Sequence, residues 1–239
     1  MIRRFVVGIA GAVALVAFGP AGLFVSWVTG SVRPLHVLSR LTIQAVLRIA
    51  GIRVVVHGHE RLDRDQTYMF VGNHVSNLDP PVSYVAVHRD VRTFTKIEVF
   101  RLPIFGRVIR RAGFPAVDRG DRRKAIAALN EAASALAEGH DFLAFPEGTR
   151  SETGALGEFK KGPFVMAIQG GVPVAPFVLR GTRELLPKGS RRLGAGVVEV
   201  EFLEPVPTAH LSVKDRNSLM ADVREMVATA LADNDPVLH

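Results

Sequence analysis

Hydrophobic and polar positions change rhythm twice along this chain. Residues 5–32 carry no charge, and the stretch FVVGIAGAVALVAFGPAGLFVSWV is apolar all round. As a helix it would be roughly 36 Å long, enough to cross a bilayer. Pro20, close to Gly19 and Gly22, is expected to kink or break it, so a re-entrant or half-inserted hairpin competes with a straight span. A cleaved signal peptide is a third reading, since Arg3 and Arg4 precede the run, but apolar character continues past any small-residue cleavage site. Residues 35–50 behave differently: Arg40, Gln44 and Arg48 recur every four residues among Leu38, Leu41, Ala45 and Ile49. That period predicts an amphipathic helix, packed on the domain, lying in a membrane interface with its arginines toward lipid phosphates, or both.

After Gly51 short β-branched runs alternate with helical stretches. Strands are expected at 54–56, 68–71, 91–95, 114–117, 142–145, 172–179 and 197–202, and helices at 121–138, 162–169 and 213–232. Such alternation predicts an α/β fold whose central sheet is largely parallel or mixed and flanked by helices. The chain therefore divides into a membrane-associating helical segment, 1–50, and one α/β domain, 51–239. The run V-P-V-A-P at 172–176 carries two prolines, which argues for an edge strand or a tunnel wall rather than a central strand.

Composition narrows the chemistry. The chain has no cysteine, which excludes disulfides, thiolate metal sites and a cysteine nucleophile. A formal net charge of +7 points to an anionic partner: nucleic acid, a membrane surface or a phosphorylated small molecule. Nucleic acid is the weakest of these, because no zinc-finger spacing, RNA-recognition signature or basic stretch interleaved with aromatics is present.

Three polar packets follow predicted strands, where α/β folds build sites. The first, V-G-N-H-V-S-N-L-D-P at 71–80, offers His74 and Asp79. A carboxylate on one imidazole nitrogen would fix the tautomer and leave the other nitrogen as a proton acceptor. The plain alternative is a loop histidine with Asp79 capping the next helix, and the same spacing recurs harmlessly at His210 and Asp215, where Ser212 or Asp215 reads as a helix cap. The second packet, F-P-E-G-T-R-S at 145–151, reads as an anion cradle. Gly148 allows close backbone approach, Thr149 brings a hydroxyl and an amide, Arg150 brings a planar fork, and Glu147 would orient Arg150 or bind a polyol. Lys160 and Lys161 add positive potential nearby. In the third, G-F-P-A-V-D-R at 113–119, Arg119 is another candidate phosphate ligand.

In this order the packets resemble the glycerolipid acyltransferase family, which includes 1-acyl-glycerol-3-phosphate acyltransferases. Its N-H-x-x-x-x-D, G-F-x-x-[VI]-D-R, F-P-E-G-T-R-S and V-P-[VI]-x-P blocks stand at 73–79, 113–119, 145–151 and 172–176, and K-I-E-V-F-R-L-P-I-F-G at 96–106 and L-L-P-K-G at 185–189 look like the same family. Pro115-Ala116 departs from the larger β-formers usual there. The resemblance implies acyl transfer from a thioester, acyl-CoA or acyl carrier protein, to the sn-2 hydroxyl of 1-acyl-glycerol-3-phosphate, making phosphatidic acid in phospholipid biosynthesis. His74 would be the base and Asp79 its orienting carboxylate. Arg119 and Arg150 would grip the phosphate, with Lys96, Glu147, Gly148 and Thr149 also on the substrate side. It implies no metal and no cofactor beyond the acyl donor, a lysophospholipid acceptor, and a membrane-associated protein whose catalytic domain faces the cytoplasm. Rival readings are an acyltransferase for another lysophospholipid or for glycerol 3-phosphate, a lipid hydrolase using Ser76, and a non-catalytic membrane phospholipid-binding protein.

Overall fold

Five expected strands form where the apolar runs place them, and their burial follows their position in the sheet. The computed structural model describes residues 2–117, 120, 122–190 and 192–233. Strands β1 (Ile52–His57), β2 (Met69–Gly72), β3 (Val91–Thr93), β6 (Asp141–Ala144), β7 (Val174–Arg180) and β8 (Gly196–Phe202) make one sheet in the order β1-β8-β7-β2-β6-β3. All pairings are parallel except β7 with β8, so the sheet is mixed. Strands β2 and β6 are buried at every residue, as both-faced strands must be; β8 alternates, with Val198, Val200 and Phe202 inside and Glu199 and Glu201 outside.

Helices cover both faces. The period of two along the strands decides which: Met69 and Val71 of β2 join Leu136, Phe164, Met166 and Val223 on the face of α5 (Arg122–Ala137), α6 (Gly162–Gly170) and α8 (Arg216–Ala232). Phe70 between them joins Leu47, Val82 and Ala86 on the face of α2 (Arg33–Ile49) and α3 (Asp79–Val87). Ser212 and Asp215 form a reciprocal capping box ahead of α8, as expected for that second His-Asp spacing.

Three expectations need correction. The run 91–95 is two strands, because Phe94 turns into the core against Phe142 and the chain leaves the main sheet; β4 (Thr95–Lys96) then pairs with β5 (Ala116–Val117) in a separate two-stranded sheet. β7 is central, not an edge. The Pro176 carbonyl accepts the Leu203 N–H, and its ring nitrogen faces the same side, one step past the Phe177–Phe202 pair that closes the β7–β8 register, so the proline costs only a bond at the very end of that ladder.

The third correction is at Pro20. Helix α1 (Ile2–Thr29) runs unbroken through it. The glycines beside it are contact notches: a Cβ at Gly19 would lie 2.6 Å from Ile104, and one at Gly22 would lie 3.0 Å from Leu35. They let α1 settle against α2 and against the start of α4 (Phe105–Arg111), and α1 and α2 pair as a helical hairpin turning at Gly30, which has φ +68°. The hairpin is fastened to the domain. Arg40 of α2 pairs with Asp90 at 3.2 Å, and His36 Nδ1 lies 2.8 Å from the Tyr84 hydroxyl of α3. The polar positions of α2 thus include domain contacts, while Val37, Leu41 and Ile49 face outward. The short helix α7 (Thr182–Leu185) follows β7.

Candidate active site

Parallel neighbours β2 and β6 end at the same edge of the sheet, so the loops that follow them, 73–78 and 145–151, lie side by side. Asn73 continues β2 with its side chain: its amide donates to the Leu179 carbonyl at 3.1 Å and its Oδ1 accepts the Leu179 N–H at 2.8 Å. The pair imitates one more rung of the ladder with β7 and fixes where His74 begins.

His74 is then held at every polar position but one. Its N–H donates to Glu147 Oε1 at 2.7 Å, and its carbonyl accepts the Ser151 N–H at 2.9 Å. Its Nδ1 lies 2.8 Å from Asp79 Oδ2, and its ring lies nearly flat on Phe145, 4.5 Å between centroids at 19°. Nε2 is left without a partner among the described residues, on a side chain that is 17% exposed.

Asp79 is fully buried at the start of α3. Its Oδ2 also accepts the N–H groups of Val75 and Ser76, at 2.6 and 2.7 Å. The expected capping role is therefore replaced: the carboxylate turns back from the helix onto the loop and the imidazole, and Leu78, not Asp79, stands at the cap. This makes Asp79 the hub that shapes the turn and orients the ring. Ser76 is fully buried, donates to the Leu186 carbonyl at 2.8 Å and accepts the Leu78 N–H, so it is sealed away from any substrate.

Glu147 also departs from expectation. It is 6% exposed, and its two oxygens accept the N–H groups of His74 and Gly157, at 2.7 and 3.0 Å. It ties the loop after β2 to both arms of the long loop between β6 and α6, and does not pair with Arg150. Gly148 turns the chain with φ +70°, and a Cβ there would lie 2.7 Å from Lys160 Nζ, so the lysine amine rests over this turn. Thr149 is exposed and Arg150 half-buried; the Arg150 carbonyl accepts Lys188 Nζ at 3.1 Å, and its guanidinium has no ion-pair partner among the described residues. Lys96 is exposed at the end of β4, opposite Val117 and just before the 118–119 position, with no bond to the His74–Asp79 pair. Arg119 lies outside the described residues.

The structure therefore brings together His74, Asp79, Glu147, Gly148 and Arg150, with Lys160 adding positive charge and Lys188, paired with Glu152 at 2.9 Å, fastening the Arg150 carbonyl. Asn73, Phe145 and Lys188 were not among the expected site residues, although each stands inside a block, 73–79, 145–151 or 185–189, that resembles the family.

An acyltransferase family profile matches residues 53–180, which contain every group just described except Lys188. The chain belongs to the acyltransferase family. Among curated relatives, this acyltransferase is 31% identical to human 1-acyl-sn-glycerol-3-phosphate acyltransferase alpha over 195 residues, covering 81% of this chain and 69% of the human one. It is 27% identical to the 1-acyl-sn-glycerol-3-phosphate acyltransferase of Borreliella burgdorferi, covering 82% and 78%. The crystal structure of the 1-acyl-sn-glycerophosphate acyltransferase PlsC from Thermotoga maritima superposes with a TM-score of 0.81 at 26% identity, covering 98% of each chain. Agreement over nearly the whole length includes the helical hairpin as well as the α/β domain of this acyltransferase.

Proposed function

We propose that this acyltransferase moves a fatty acyl group from a thioester, acyl-CoA or acyl carrier protein, to the sn-2 hydroxyl of 1-acyl-glycerol-3-phosphate, giving phosphatidic acid. The observation that carries the reading is the clamp on His74: a ring oriented by Asp79, a backbone fixed at both ends by the 145–151 loop, and a free Nε2. The names of the relatives support the acceptor.

In the reaction the acceptor oxygen gives its proton to Nε2 as it attacks the thioester carbonyl. The new C–O bond forms, the C–S bond breaks, and the imidazolium returns the proton to the leaving sulfur, releasing a free thiol. Asp79 holds the Nδ1–H tautomer and stabilises the imidazolium. Arg150, assisted by Lys160 and Arg119, takes the acceptor phosphate, with Lys96 also on the substrate side. Glu147 acts through the backbone of His74 rather than on substrate. No acyl-enzyme and no cofactor is called on. An apolar cavity of about 370 Å³ between hairpin and domain, lined by Leu15, Phe18, Leu38, Ile43, Leu78 and Pro81, suits an acyl chain, since Leu78 and Pro81 flank Asp79.

Residues 1–50 are read as the membrane-associating segment and 51–239 as the catalytic domain, facing the cytoplasm where both donors occur. Helix α1 is long and apolar enough to cross a bilayer. Its packing favours one leaflet: Gly19 abuts Ile104, and Arg111 of α4 donates to the Ser26 and Gly30 carbonyls at 3.0 and 3.4 Å. An upright crossing would carry the turn of α4 that packs beside Gly19, with Arg107 between Ile104 and Val108, below the headgroups, where an arginine costs up to about 2.5–3.5 kcal/mol.

Incubation of the full chain with acyl-CoA or acylated carrier protein and a panel of acceptors tests the reading. Free thiol and phosphatidic acid should appear with 1-acyl-glycerol-3-phosphate; thiol release only with glycerol 3-phosphate or another lysolipid would move the acceptor, and none with any pair would leave a binding protein.

A further inference from the structure

Residues 97–111 present an outward surface that the His74 chemistry does not touch, although Phe105 and Val108 also line the apolar cavity beside α1. A 3-10 turn, Ile97–Arg101, runs into α4, and α4 buries Gly106, Val108 and Ile109. The residues facing the other way need not be apolar to fill the core. Yet Ile97, Leu102 and Phe105 are exposed by 36%, 52% and 38%, interleaved with exposed Arg101, Arg107 and Arg110, which outweigh the one exposed carboxylate there, Glu98. The shape is rigid: Gly106 passes so close to the Phe100 carbonyl that a Cβ has no room, and the Arg110 guanidinium lies over the Phe100 ring at 5.6 Å.

This surface is continuous with the outward face of α1. Ile104 and Val108 sit in the Gly19 notch, and beyond them α1 exposes Phe24, Val25, Trp27 and Val28. Apolar side chains able to sink below a headgroup layer, beside arginines able to reach its phosphates, are the composition of an interfacial anchor.

We propose that residues 97–111 form a second membrane contact selective for anionic lipid, with Ile97, Leu102 and Phe105 entering the interface and Arg101 and Arg107 gripping headgroup phosphates. The proposal rests on the one-leaflet reading of α1 and adds to it a charge-selective site that fixes how the domain is turned on the membrane.

Co-flotation of the full chain with phosphatidylcholine vesicles, with and without phosphatidylglycerol, tests it using three double variants. Arg101→Gln with Arg107→Gln should weaken binding to phosphatidylglycerol vesicles by about thirty-fold, at about 1 kcal/mol per arginine, and leave binding to neutral vesicles unchanged. Ile97→Ser with Leu102→Ser should weaken both by about tenfold or more. Val13→Ser with Trp27→Ser, on α1, is the control for the hairpin. Retained thiol release from short-chain, water-soluble substrates shows that each variant is folded. If the 97–111 variants float like wild type while the α1 variant is lost, the second contact is overturned and the hairpin reading stands. If the wild type floats with neither vesicle, both are overturned.

Discussion

The carboxylate of Glu147 accepts the backbone N–H of His74 at 2.7 Å from across 73 residues of chain. Its other oxygen takes the Gly157 N–H at 3.0 Å, so one buried side chain closes its own loop and fixes it against the loop after β2. Glu147→Ala leaves two buried donors unsatisfied, a cost of about 1–3 kcal/mol each. We expect kcat to fall about ten- to a hundredfold with acceptor KM changed less, alongside a lower melting temperature. A raised KM with kcat intact would return Glu147 to the substrate side.

Asp79→Asn keeps the size of the hub and, with its amide oxygen in the place of Oδ2, still faces Nδ1, but it removes the charge that stabilises the imidazolium. kcat should drop by about 10²-fold or more while the melting temperature changes little, because an amide oxygen can still accept from Val75 and Ser76. A variant within threefold of wild type, in steady-state thiol release, would remove the carboxylate from the mechanism.

Arg150→Lys tests the phosphate cradle. A point charge lacks the two-pronged geometry of a guanidinium, so acceptor KM should rise about tenfold or more with donor KM unchanged. An unchanged KM for a phosphorylated acceptor would place the phosphate elsewhere.

The strands were legible because β-branched runs mark them, and the correct faces followed from a period of two. The site was legible only in part. His74 and Asp79 share a spacing with His210 and Asp215, and what separates the pairs is a strand end on one side and a capping box on the other. Glu147 was misread because its partners are backbone groups distant in sequence, and burial of a carboxylate leaves no local mark. Pro20 and the two prolines near β7 were misread for a related reason: whether a missing N–H matters depends on what faces it. Pro176 stands at the last step of the β7–β8 ladder, and near Pro20 the glycines serve packing against Ile104 and Leu35.

The joint between hairpin and domain should respond to acid. His36 is 2% exposed, beside Tyr84, and its ring packs near Phe114 at 6.3 Å. Burial lowers its pKa below the ordinary histidine value; Asp90 opposes that shift, while Arg40, Arg92 and His140 reinforce it. The unfolded chain then binds the proton more readily than the folded one, so this contribution is present above about pH 6.5 and fades as pH falls below it. His36→Gln should flatten the loss of melting temperature between about pH 7 and about pH 5. Identical slopes in wild type and variant would take His36 out of the pH response.

The central claim is that Nε2 of His74 takes the proton from the acceptor hydroxyl. The direct measurement is kcat for thiol release by His74→Ala with acyl-CoA and 1-acyl-glycerol-3-phosphate, on protein whose melting temperature matches wild type. The account predicts a fall of roughly 10²- to 10⁴-fold, the usual worth of a positioned base. Wild-type kcat in that variant would contradict it.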